Sequence, residues 1–220
     1  SASITGAFTS LVINGNGGND SITLDASVTT SATLRGGAGD DTLIGGSGSD
    51  SLFAGAGNNA LSGGNGNDTF VAIGSASDNV TGGAGFDSFW LDGNVSEVVN
   101  DLTLDESAAG AMHRVGSFLG FNANGVTTPV SSSLLGQNLA DPIVASNYTY
   151  KNFATNPLFS AAGPSENDIV QGQVGDCWFL ATLSSIAKID PTRIRESVVD
   201  LGDGTFAVQF GTINKTFVRV

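Results

Sequence analysis

The sequence predicts an all-β parallel β-roll over residues 1–100 and a partial α+β subdomain over residues 153–220, with residues 101–152 as a linker or pro-segment. Three observations carry this division. A nine-residue period of glycine and aspartate runs through the first part, acidic charge is concentrated in the same part, and a helix-then-strand pattern surrounds the single cysteine of the last.

The period is read directly off the chain. Gly36-Gly-Ala-Gly-Asp-Asp-Thr-Leu-Ile44 is followed without a gap by units beginning at Gly45, Ala54 and Gly63, and looser copies begin at Gly15, Ile73 and Gly82. Each unit pairs a glycine-rich half, able to take dihedrals closed to other residues, with a short strand whose eighth residue is apolar. Two units make one coil. Leu43, Leu61 and Val80 then face inward from one sheet, and Leu52, Phe70 and Phe89 from the other. A flexible acidic linker is the competing reading, and it gives no reason for an apolar residue at the eighth position of every unit.

Charge narrows the partner. The net charge is −13, and Arg35 is the only basic residue before His113. That balance excludes nucleic acid and anionic membrane and favours cations. One large apolar side chain per unit makes a thin core, so bound ions are expected to supply much of the folding free energy.

These units resemble RTX repeats, whose fold is the RTX solenoid and whose cofactor is Ca2+, with several ions per roll. The resemblance implies that each ion lies between loops two units apart, held by aspartates and backbone carbonyls. Carried onto this chain, it pairs Asp50 with Asp68 and Asp68 with Asp87 along one edge. Along the other it pairs Asp41 with Asn59 and Asn59 with Asp78, with Asp20 set to pair with Asp41 if the long interval after Thr23 bulges. The implied carbonyl ligands are those of Gly36, Ala38, Gly45, Ser47, Gly63, Asn65, Gly82 and Ala84. The second edge is the weaker, because Asn59 replaces a carboxylate and Ile73 and Ala76 replace glycines.

Residues 95–104 are expected to close or cap the roll, and residues 120–138, rich in Ser, Thr, Asn and Gly, read as extended chain. A pro-segment across a cleft, a cleavage site and a passive tether all remain open for the interval.

In the last part, Gly172 and Gly175 allow a sharp loop, and the chain from Cys177 to Lys188 reads as an apolar helix with the cysteine in its first turn. A thiol there is lowered in pKa by the helix terminus. Asp190-Pro191 opens a second helix running to Val199, and Thr205–Phe210 and Thr216–Val220 alternate as a hairpin. With one cysteine, no internal disulfide forms.

Asn156-Pro-Leu-Phe159, Asp168-Ile-Val-Gln-Gly172 and Gly175-Asp-Cys-Trp-Phe-Leu180 resemble the start of a calpain-type, papain-like cysteine protease core. The resemblance covers the last third of the chain. It implies that Cys177 is the nucleophile and Gln171 the oxyanion-hole donor, with a histidine and an asparagine from a later subdomain. It also implies a calcium site at Gly163 and Asp168. His113 precedes the cysteine and is expected to be a surface or packed residue, so these 220 residues alone are expected to be inactive.

The chain is therefore expected to be part of a calcium-dependent cysteine endopeptidase, secreted or at the surface of a bacterium, cut from a longer protein. Its partners would be the remainder of the protease core and a protein or peptide substrate. A calcium-stabilised adhesion module with an inactive protease remnant, and the N-terminal product of self-processing, are the alternatives.

Overall fold

The computed structural model describes residues 8–74, 76–94, 96–121, 127–130, 177–211 and 215–219. The chain divides into two compact units, and the described residues of the first run to Gly116.

The first unit is a parallel β-roll. One sheet is built from β1 (Leu11–Gly17), β3 (Ala32–Ala38), β5 (Ser51–Ala56), β7 (Thr69–Ala72), β9 (Ser88–Asp92) and β11 (Met112–Val115), in that order. The facing sheet is built from β2 (Ser21–Thr23), β4 (Thr42–Ile44), β6 (Ala60–Asn65), β8 (Asn79–Ala84) and β10 (Val98–Val99). Odd and even strands alternate between the sheets, so each unit contributes one strand and two units make a coil, as the nine-residue period requires.

Register follows the repeat. Leu34 stands beside Leu52, Leu52 beside Phe70 and Phe70 beside Phe89 in the first sheet. Leu43, Leu61 and Val80 line up in the second. All six predicted inward residues are buried in a single core cluster. Phe70 and Phe89 stack with ring centroids 5.2 Å apart. Side-chain alternation sends neighbouring residues outward: Arg35 lies over the Phe53 ring, 4.9 Å from its centroid.

Three features differ from the sequence-based expectation. The strands of the roll continue past residue 100, where its end was drawn, because a further coil without the glycine pattern adds β10, α1 (Leu104–Ala109) and β11. In place of a closing strand pair at 95–104 there is the two-residue β10 followed by α1. That helix carries a capping box, in which Thr103 Oγ1 accepts from the Glu106 N–H while the Glu106 carboxylate accepts from the Thr103 N–H. Gly110 ends it in the left-handed conformation, at φ 79°.

The second unit contains a five-stranded sheet. Its order is β13 (Thr127–Val130), β12 (Phe118–Phe121), β16 (Thr216–Arg219), β15 (Phe206–Phe210), β14 (Val198–Asp200). The expected hairpin is β15 and β16, paired antiparallel. β12 and β13 come from the interval read as linker, and β12 pairs parallel with β16. Buried Arg219 forms an ion pair with Asp203 and lies over the Phe118 ring.

α2 (Cys177–Ile189) matches the predicted helix, and α3 (Pro191–Arg195) starts at the predicted proline. α3 is shorter than expected and Asp190 makes no side-chain cap; its Oδ2 accepts from Arg193 Nε at 3.0 Å. The β-branched pair Val198-Val199 leaves the helix to pair with Val208 and Ala207.

Candidate calcium loops and nucleophile helix

The sixth residue of each unit is the structural hinge of the roll. Asp41, Asp50, Asn59, Asp68, Asp78 and Asp87 are all buried. Each uses one side-chain oxygen to accept the N–H of the corresponding residue one coil earlier. On the first edge Asp50 Oδ1 accepts from Ala32, Asp68 Oδ1 from Asp50 and Asp87 Oδ1 from Asp68, at 2.7–2.8 Å. On the second edge Asp41 Oδ1 accepts from Asp20, Asn59 Oδ1 from Asp41 and Asp78 Oδ1 from Asn59, at 2.8–2.9 Å. The pairs expected from the repeat are thus neighbours in space, Asp20 with Asp41 included. The 21-residue separation of that pair is absorbed by a turn in which the Val28 N–H bonds Asp25 O.

The second carboxylate oxygen faces the glycine loop. A Cβ on Gly36 would collide with Asp41 Oδ2 and lie 2.5 Å from Ala54 O. A Cβ on Gly45 would lie 2.5 Å from Asp50 Oδ2, and one on Gly63 would collide with Asp68 Oδ2 and lie 2.6 Å from Gly82 O. The first glycine of the unit is therefore required for space: it leaves a carboxylate oxygen and a carbonyl of the next coil facing one small cradle. Among the described residues Asp20 Oδ2 and Asp41 Oδ2 are buried without a hydrogen-bond partner. Buried carboxylate oxygens in that state demand a cation or a proton. Burial pushes the Asp50 carboxyl above its ordinary range, despite hydrogen bonds from the Gly46 and Ala32 N–H groups.

Asn59 breaks the pattern. Its Oδ1 must accept from the Asp41 N–H, which turns its Nδ2 toward Asp78 Oδ1, 3.0 Å away, and Gly57 O. A donor stands where the other coils present a second oxygen. The same unit opens on Ala54, whose Cβ is tolerated at the first position. Among the implied carbonyl ligands, Ala38 O and Ala84 O accept from the Gly18 and Gly66 N–H groups of the preceding coil. The Ser47 N–H bonds Val28 O, and its hydroxyl accepts from Asn65 Nδ2 at 2.9 Å.

A second ladder was not anticipated. Fifth-position side chains also bridge coils, but in the opposite sense: Asn19 Oδ1 accepts from the Asp40 N–H, Asp40 Oδ1 from Asn58 and Asn67 Oδ1 from Phe86. The recurrence of Asn, Asp and Ser at that position was the available signal.

Comparison with known families joins these observations. Residues 12–27 and 33–70 match the RTX calcium-binding nonapeptide repeat, in four copies. The roll is built of RTX repeats. Residues 132–218 match the calpain family cysteine protease model. Searches of the curated proteins and of the solved structures found no match. The RTX match ends at Phe70, whereas the roll runs on to Val115 through coils that keep the ladder without the consensus.

An RTX loop binds its ion with two carboxylates and main-chain oxygens, and the cradles fit that donor set, which suits a hard cation such as calcium. Among the described residues no group of three or more His, Cys, Asp or Glu side chains satisfies metal-site geometry.

In the calpain-matched region, Cys177 is the first residue of α2. Gln171, Gly163 and Asp168 lie outside the described residues. His113 is fully buried on β11, its ring stacked on Trp90 with centroids 4.0 Å apart. Among the described residues no helix is long and apolar enough to cross a membrane.

Proposed function

We propose that the chain is the calcium-binding and nucleophile-bearing part of a secreted bacterial, calcium-dependent cysteine endopeptidase of calpain type. The observation that carries the protease half is the calpain-family match over residues 132–218, with Cys177 opening a 13-residue helix inside it. The helix terminus favours the thiolate. Cys177 Sγ attacks the scissile carbonyl, and the Gln171 side-chain amide and the Cys177 N–H stabilise the oxyanion. The amine departs with a proton, leaving a thioester that water hydrolyses to regenerate the thiol.

The general base is a histidine from the remainder of the core. His113, the only histidine of the sequence, is packed inside the roll and is unsuited to the role. An asparagine from the same source orients that histidine. A further calcium ion held by Gly163 O and Asp168 would brace the loop before Gln171. In the roll, calcium is assigned to the first edge through Asp50, Asp68 and Asp87 with the Gly45, Gly63 and Gly82 carbonyls, and to the Asp20–Asp41 end of the second edge.

The test uses the intact parent protein with calcium. Iodoacetamide is expected to label Cys177 quickly, Cys177→Ala to abolish peptide hydrolysis, and Gln171→Ala to lower kcat by about 10²–10³. Slow labelling that is indifferent to calcium and to Gln171 would count against the assignment.

A further inference from the structure

The two edges of the roll end differently. On the first edge the last carboxylate is Glu106, 19 residues after Asp87, whose N–H donates to Glu106 Oε1 at 2.8 Å. Its Oε2 accepts from the Thr103 N–H and hydroxyl, both at 2.7 Å. Hydrogen bonds alone satisfy this buried carboxylate.

On the second edge the corresponding residue is Glu97, 19 residues after Asp78, in a stretch that carries Asp92 in place of a loop glycine. Glu97, Asp92 and Asp78 are all buried, with Glu97 5% exposed. Glu97 Oε2 accepts from the Asp92 N–H at 3.0 Å, and Asp92 Oδ2 accepts from the Gly74 N–H at 2.8 Å. Glu97 Oε1 is buried and, among the described residues, has no hydrogen-bond partner. Arg114 donates to main-chain oxygens of this loop, Glu97 O at 2.9 Å and Asp92 O at 3.4 Å. Three acidic side chains therefore crowd one arginine. Burial first, then Asp78 and Asp92, push the Glu97 carboxyl up to about 8.

We propose that Asp78, Asp92 and Glu97 hold a calcium ion at the end of the second edge, outside the repeats that match the RTX consensus. The buried, unbonded Glu97 Oε1 and the neighbouring carboxylates supply hard oxygen donors to an ion with that preference. The ion replaces, on this edge, what the Thr103–Glu106 capping box provides on the other. The proposal rests on the reading of the roll as calcium-loaded and is independent of the protease assignment.

Calcium stoichiometry of the whole chain by isothermal titration tests it. Glu97→Gln and Asp92→Asn, both close in shape to the native residues, are each expected to lose one calcium per chain while keeping calcium-induced ellipticity from the other coils. A Glu97→Gln variant that binds the same number of ions with the same affinity overturns the proposal and leaves the rest of the roll standing. A native chain that binds no calcium overturns both. Should the variants fold poorly, hydrogen exchange on the native chain decides: calcium is expected to slow exchange of the Gly74 and Asp92 amides, and unchanged rates at both overturn the site.

Discussion

Replacing Asp68 by Asn separates the two tasks given to the sixth-position carboxylate. Asp68 is fully buried, and its Oδ1 accepts the Asp50 N–H at 2.7 Å. Asn keeps an oxygen there, so the ladder rung survives. A neutral acceptor in place of a charged one costs roughly 1 kcal/mol in the calcium-free roll. The second task falls on two proposed ions, shared with Asp50 and with Asp87. At a free calcium concentration about a hundredfold above Kd, each site stabilises by ~2.7 kcal/mol, so losing both removes ~5 kcal/mol. For a unit of this size 1 kcal/mol moves Tm by about 4–8 °C, so the calcium-induced rise should shrink by 20 °C or more while Tm in EGTA moves by only a few degrees. Thermal unfolding followed by circular dichroism, with and without calcium, reads both numbers. Equal losses in the two conditions, or a full calcium response in the variant, would show that Asp68 is a hydrogen-bond acceptor and nothing more.

Gly37→Ala should destabilise the roll by about 1–3 kcal/mol with or without calcium. Its φ of 112° disfavours any side chain, and a Cβ would lie 2.6 Å from the carbonyl carbon of Asn16. Urea unfolding checks this, and an unchanged midpoint would be the contrary result. The pH response follows from Asp50 and Glu97, whose folded pKa values lie above their ordinary range, Glu97 at about 8. Groups raised in the folded state contribute stability that is fully present below the unfolded pKa near 4 and is lost as pH rises through the folded one. In EGTA the Tm contribution of these groups should therefore fall from pH 5 to 8, and calcium uptake at pH 7 should release protons, seen as a buffer-dependent heat. A calcium-free Tm that climbs across that range contradicts the reasoning.

Much of the roll was legible because its period is written in residue types with steric meaning. The apolar eighth residue and the glycine facing the carboxylate admit few substitutes, and Leu61, Phe70 and Val80 all lie where the pattern put them. The end of the roll was not legible. After Trp90 the glycines vanish, and hydrogen bonds from Glu97, Asp101 and Glu106 hold the coil in register. The Asp101 carboxylate accepts from the Gly82 and Gly83 N–H groups, both at 2.8 Å. Those contacts join residues 18 or 19 apart, and local pattern carries no trace of them. The Val198-Val199 strand was missed for a related reason, since its partners, Val208 and Ala207, are supplied by a later strand. At the nucleophile, chain order and the helix were readable, whereas the base and its orienting partner belong to other chain.

The buried ladder has a direction. In each rung the amide belongs to the earlier coil and the carboxylate to the later one, from Ala32 and Asp50 through Asp87 and Glu106. The exposed fifth-position ladder runs the other way, but water can stand in for its partners. A buried amide is left bare until the next coil is laid down, so a roll truncated after any coil ends on an unfinished surface. Only the Thr103–Glu106 turn closes on itself. The roll thus has the polarity of a zip fastener with its stop at the C-terminal end.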